Sequence, residues 1–172
     1  MSVTRSFPLT AACIDFDGVI VDSEPLHLDS ERQTLATRGI SFGLIEKAMF
    51  VGGTVRGTVE RICTHYGIDD IDSFFSERQL VFNTLVESEL KLLPGAISLL
   101  TDLQTSGVPL ALVSSGHEDY IDLVLAKFDL HEIFDVIVSE QDVKKHKPDP
   151  QPYLLATNSL HATPRACLAV ED

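Results

Sequence analysis

The feature that most constrains the fold is a recurrence in the second half of the chain. PLALVSS, DVIVS and ACLAVED are short apolar runs, each ending in polar or acidic residues and separated by a helical segment. Near-continuous apolar strands alternating with helices indicate a parallel α/β sheet covered on both faces. An earlier run, ACIDF, reads as a first buried strand ending at Phe16 and stopped by Asp17-Gly18. The expected helices in this half are Ala96 to Ser106, Glu118 to Phe128 and Pro152 to Leu160.

Between these parts the pattern is helical. Helices are expected over Ser23 to Arg38, Gly43 to Phe50, Thr54 to Tyr66 and Asp70 to Leu90, with few strand signals. The expected organisation is a Rossmann-like core from residues 1–22 and 93–172, with an all-helical insertion over 23–92. With 172 residues, one core and a modest insertion is what the length allows.

Ligands of parallel α/β sheets bind outside the carboxyl ends of the strands. The first strand ends in Asp15 and Asp17, PLALVSS in Ser114, Ser115 and Gly116, and ACLAVED in Glu171 and Asp172. KKHKPDP, before the last strand, offers Lys144, Lys145 and Lys147. Two carboxylates about 4 Å apart repel by about 4 kcal/mol at an effective dielectric near 20. A hard cation such as Mg²⁺, which prefers carboxylate oxygens, water and phosphate, removes that repulsion. Ser114 and the backbone N–H groups after it can bind phosphate oxygens, and a lysine supplies positive charge. One aspartate can attack phosphorus, and a second can protonate the leaving oxygen and then activate water.

Each motif alone has an ordinary reading. A lone DxD is usually a turn or helix cap, a Ser pair a loop, and KPDP a helix start. Together, in order, DFDGVIVDSE, LALVSS, HKPDP and LAVED resemble the four signature motifs of the haloacid dehalogenase superfamily, in its phosphatase and beta-phosphoglucomutase branch. The resemblance runs from Cys13 to Asp172. It implies that Asp15 is the nucleophile and Asp17 the general acid/base, Asp17 also giving its backbone carbonyl to Mg²⁺. It implies that Ser114 and Ser115 hold phosphate and that Lys147 steadies both phosphate and Asp15. Glu171 and Asp172 would complete the metal shell. The dehalogenase members lack the second aspartate, so Asp17 favours phosphoryl transfer over carbon–halogen cleavage. Relatives often hold the peptide corresponding to Lys147-Pro148 in the cis form, and the same is expected here.

The helical insertion resembles the cap that closes over the site in this superfamily, with Ser23 and the Leu92–Gly95 stretch as hinges. His27 matches a histidine common in the branch, and Gly52-Gly53 with Arg56 resemble a cap loop reaching a substrate phosphate. His65 and His161 read as helix-surface residues. The expected function is therefore a Mg²⁺-dependent phosphatase acting through an aspartyl-phosphate on a small phosphorylated metabolite, a sugar or polyol phosphate. The alternative is a beta-phosphoglucomutase-like mutase. An inactive shortened member or a phospho-accepting regulator ranks lower.

The net charge of −13 argues against a nucleic-acid partner, which needs a basic footprint. No apolar run reaches the length of a membrane span, and three dispersed cysteines without a CxxC suit free thiols, so a cytoplasmic location is expected. Relatives continue past the residue matching Asp172 with further strands and helices. The chain is thus expected to be a shortened form of a longer hydrolase, with the run Ala166 to Val170 left as an exposed sheet edge.

Overall fold

Strand β1, Ala11–Ile14, is buried along its whole length, because Ala, Ala, Cys and Ile present no polar side chain to either face. The structure, a computed structural model, describes residues 9–50 and 52–172. Strands β2, Leu110–Val113, β3, Val136–Val138, and β4, Cys167–Val170, join β1 in a four-stranded sheet of order β3-β2-β1-β4. Every pairing is parallel, with Cys13 opposite both Ala111 and Ala169. The expected α/β parallel architecture is what forms.

β1 ends two residues earlier than the sequence suggests. Asp15 still donates its N–H to the Val170 carbonyl at 3.0 Å. The Phe16 carbonyl instead accepts from the N–H groups of Ile20 and Val21, which turns the chain out of the ladder into a tight loop. That turn projects the residues after Ile14 from the carboxyl rim of the sheet.

The central strands β1 and β2 are buried throughout, whereas the flanking strands are only partly covered. On β4, which among the described residues pairs with β1 alone, Leu168 is 38% exposed. One sheet face packs Cys13, Ala111, Val113 and Val138 against Ala156 of helix α7, Gln151–Ser159. The small residues Ala111 and Ala156 let the helix approach the sheet. Helices α5, Ala96–Thr105, and α6, Glu118–Phe128, follow the expected spans closely.

The chain divides into two compact units, one holding the sheet (the described residues up to Asp22 together with Leu92–Asp172), the other spanning Ser23–Lys91. Leu92 bridges to Val21, and the Leu93 N–H donates to the Ile20 carbonyl at 2.9 Å, which ties the returning segment to the sheet unit.

The second unit is helical: α1, Glu24–Ala36, α2, Leu44–Lys47, α3, Val55–Tyr66, and α4, Ile71–Glu89. The start of α3 is fixed by Thr54, whose side chain accepts from the Gly57 N–H, and that of α4 by Asp70, which accepts from the Ser73 N–H. The helix expected over Gly43 to Phe50 is shorter, since Ala48–Phe50 tightens into a 3₁₀ turn. That turn buries Phe50 with Leu35, Phe42, Val59, Ile62, Cys63 and Phe74 as the unit's own core. Among the described residues, no helix is long and apolar enough to cross a membrane.

Candidate active site

The loop leaving β1 carries the first two acids. Gly18 occupies a left-handed conformation (φ 77°), and a Cβ there would lie 2.4 Å from Oδ2 of Asp172. A side chain is excluded on both grounds, which explains glycine after Asp17. Its absence allows the Asp172 carboxylate to lie against the β1 loop.

Asp15 sits at the centre. Lys147 Nζ donates to Asp15 Oδ1 at 2.6 Å and to the Val113 carbonyl at 3.0 Å, and pairs with Glu171 Oε1 at 2.8 Å. One ammonium thus links the ends of β1, β2 and β4. The Lys147-Pro148 peptide is cis, as expected. The aromatic ring of Tyr153, on α7, lies 5.1 Å from the ammonium, and its hydroxyl donates to Glu171 Oε1. Of the three lysines in KKHKPDP, Lys147 takes this role, while Lys145 pairs with Asp149 at 3.6 Å.

Burial pushes the Asp15 carboxyl up to about 6, with Glu171 adding to the rise and Lys147 opposing it. For Glu171, burial alone would raise the value, but the hydrogen bonds from Lys147 and Tyr153 outweigh it and hold this group below the ordinary range. Burial, and then the nearby Cys167, pushes the Cys13 thiol up to about 11, so this cysteine behaves as a buried apolar residue rather than a nucleophile.

Single carboxylate oxygens of Asp15, Glu171 and Asp172 lie within 4.8 Å of one another. Three hard oxygen donors against one ammonium leave surplus negative charge, a donor set that fits a hard divalent cation. The Asp17 carboxylate is outside this trio. Its Oδ1 accepts from the Tyr120 hydroxyl at 2.6 Å.

Ser114 is buried at the end of β2, where its N–H donates to the Val138 carbonyl at 2.9 Å. Its Oγ accepts from the Gly116 N–H, also at 2.9 Å. Ser115 is exposed on the same loop. The sheet unit therefore collects Asp15, Asp17, Ser114, Ser115, Lys147, Glu171 and Asp172 at one rim.

The candidates in the helical unit have other surroundings. Ser23 is buried at the start of α1. His27 stacks on Phe82, with ring centroids 4.4 Å apart, and its Nδ1 lies 2.5 Å from Nη2 of the buried Arg78. Burial, then the charges of Arg78 and Lys47, hold its pKa well below the ordinary value, so the ring is neutral near pH 7. Arg56 is engaged by Asp72 at 2.6 Å and by Glu60 at 3.1 Å. Arg61 instead secures the neighbouring loop, donating to the carbonyls of Phe50 and Gly52 and to Thr58 Oγ1. His65 is exposed on α3, but His161 falls in the turn after α7 with φ 53°, not on the helix.

Two residues of the rim escape the sequence reading: Tyr120 and Tyr153. A usable signal existed for the first. Tyr120 falls in the first turn of a helix that begins at the ligand rim, where a polar tip can turn back toward the strand ends.

A family profile described as haloacid dehalogenase-like hydrolase matches residues 13–172. Hexitol phosphatase B of Escherichia coli K12 is 28% identical over 178 residues, covering 100% of this chain and 78% of that protein. The crystal structure of a provisionally assigned beta-phosphoglucomutase from Thermotoga maritima superimposes with a TM-score of 0.81 at 28% identity, covering 94% of this chain and 76% of that one. CbbY from Rhodobacter sphaeroides, solved in complex with phosphate, gives 0.83 at 26% identity, covering 95% and 78%.

Proposed function

The chain belongs to the haloacid dehalogenase-like hydrolases, and from that premise we propose that it is a Mg²⁺-dependent phosphatase of a small phosphorylated metabolite, a sugar or polyol phosphate. The observation that carries this reading is the ammonium of Lys147, held 2.6 Å from Asp15 beside the carboxylates of Glu171 and Asp172. The similarity to a hexitol phosphatase supports the substrate class.

In the proposed reaction an oxygen of Asp15 attacks phosphorus. The new P–O bond forms as the bond to the leaving oxygen breaks, and Asp17 gives that oxygen its proton. Water then attacks the aspartyl-phosphate while Asp17 takes a proton back, which releases phosphate and restores Asp15. Lys147 keeps Asp15 oriented and faces the charge on the phosphoryl oxygens. The hydroxyl of Ser114 and the N–H groups of its loop receive the remaining oxygens. A Mg²⁺ held by Asp15, Glu171, Asp172 and the Asp17 backbone carbonyl would, when bound, neutralise the crowded carboxylates and the substrate phosphate.

Phosphate release is the test, measured over sugar, polyol and glycolytic phosphates with Mg²⁺ and again with a chelator. Chelator-sensitive turnover of at least one sugar or polyol phosphate is expected. No release from any of them contradicts the reading. The structural similarity to a beta-phosphoglucomutase supports a second reading, return of the phosphoryl group to the sugar. Phosphorus NMR with beta-glucose 1-phosphate distinguishes the two, since a hydrolase yields free phosphate and a mutase glucose 6-phosphate.

A further inference from the structure

Tyr120 and Asp17 are separated by 103 residues in sequence, yet the phenol hydroxyl lies 2.6 Å from Asp17 Oδ1. That length is typical of a hydroxyl donating to a charged carboxylate. The ring is held from three sides. Tyr120 is 7% exposed, its ring centroid lies 5.9 Å from that of Phe16, and its backbone is fixed in the first turn of α6. Gly116 completes the seat. A Cβ at position 116 would come within 2.9 Å of Tyr120 Cδ1 and 3.1 Å of Ser114 Oγ. The residue that leaves room for the Ser114 hydroxyl therefore leaves room for this ring as well. A tyrosine enclosed in this way has little rotamer freedom, and its hydroxyl is aimed.

We propose that Tyr120 is a positioning residue for proton transfer by Asp17. The proposal rests on the reading of Asp17 as the general acid/base. While the phenol donates to Oδ1, that oxygen serves as an acceptor, and the exchangeable proton resides on Oδ2. The bond also fixes the plane of the carboxyl group. Proton transfer to the leaving oxygen then proceeds from one defined atom on a side chain that cannot rotate away. Such orientation contributes to rate without any contact between Tyr120 and substrate.

The dependence of rate on the leaving group isolates this role. A sugar or alkyl phosphate expels a poor leaving group that needs a proton, whereas 4-nitrophenyl phosphate expels one that does not. Tyr120→Phe keeps the ring and removes the hydroxyl. The ratio of kcat/KM for the alkyl substrate to kcat/KM for the aryl substrate is measured on one preparation, so any loss of folded enzyme cancels. General acid–base transfer typically contributes 10²- to 10⁴-fold, and loss of its orientation is expected to lower the ratio about tenfold. Asp17→Asn, measured alongside, is expected to lower it further. An unchanged ratio in Tyr120→Phe, with Asp17→Asn lowering it, overturns the role of Tyr120 alone. An unchanged ratio in Asp17→Asn overturns the reading of Asp17 and this proposal with it.

Discussion

Two regions of the molecule gather charge, and they balance it differently. At the sheet rim the ammonium of Lys147 pairs with the buried Asp15 and with the exposed Glu171, and the exposed carboxylate of Asp172 lies beside them. In the helical unit a cavity of about 190 Å³ is lined by Glu24, Glu31, Lys47 and Arg78 around a neutral His27. There two acids meet two bases. Lys47 Nζ reaches both oxygens of the buried Glu31, at 2.8 and 2.9 Å. A cluster of charged side chains is thus no sign of a site by itself. The helical cluster is matched within its own unit, whereas the rim holds surplus negative charge that a divalent cation would offset.

The two regions should respond to different perturbations. The largest effect is expected from Asp15→Asn, which removes the nucleophile and should lower turnover by at least about 10⁴-fold. The same change removes a carboxyl that burial holds above its ordinary value. Thermal unfolding without divalent cations should therefore occur at a higher temperature in the variant, by a few degrees. Mg²⁺ should stabilise the wild type by mass action and the variant much less. Equal stabilisation of both would break the distinction between the regions.

Next in size, Lys147→Ala removes the charge that steadies Asp15 and the phosphoryl group. A fall of about 10²- to 10³-fold in kcat is expected, comparable with loss of one transition-state donor elsewhere.

Glu31→Ala probes the matched cluster. Breaking a buried pair leaves one charge uncompensated, and about 3–5 kcal/mol of stability should be lost in chemical denaturation. Replacing both partners, Glu31→Leu with Lys47→Met, should recover most of that loss. Failure to recover it would mean that the cluster does more than balance itself.

The smallest effects are in pH, and they have opposite signs. Asp15 has a folded value of about 6 against an ordinary 3.8, so its contribution is full below about 3.8 and is lost as pH rises through 6. His27 has a folded value below the ordinary 6.5, so its contribution is full above about 6.5 and is lost as pH falls. Thermal unfolding between pH 5 and 8, compared in Asp15→Asn and His27→Gln, should show each variant losing one of the two trends. Identical pH profiles in both variants would remove the assignment.

The sequence reveals most of the rim because its residues follow the strands that carry them. Asp15, Ser114 and Glu171 directly succeed apolar runs, and a parallel sheet necessarily brings those ends to one side. What it conceals depends on side chains crossing between elements. Tyr153 is 18 residues from Glu171 and Tyr120 is 103 from Asp17, and neither spacing has a local pattern. Helical periodicity treats both as ordinary positions on α6 and α7. Local competition explains the boundary differences. The Phe16 carbonyl captures two N–H groups and shortens β1, and burial of Phe50 tightens the end of the helix expected after Gly43. Resemblance gives Arg56 the expectation of reaching a phosphate, whereas its partners Asp72 and Glu60 come from the packing and spacing of α3 and α4.

The most direct measurement is covalent. Asp17→Asn enzyme is mixed with 4-nitrophenyl phosphate and Mg²⁺, quenched in acid within milliseconds to seconds, digested and read by mass spectrometry. A phosphoryl adduct on Asp15, absent from Asp15→Asn, is the expected result. Release of 4-nitrophenol with the adduct on another residue, or with none at any quench time, would contradict the reading of the rim as a phosphoryl-transfer site built on Asp15.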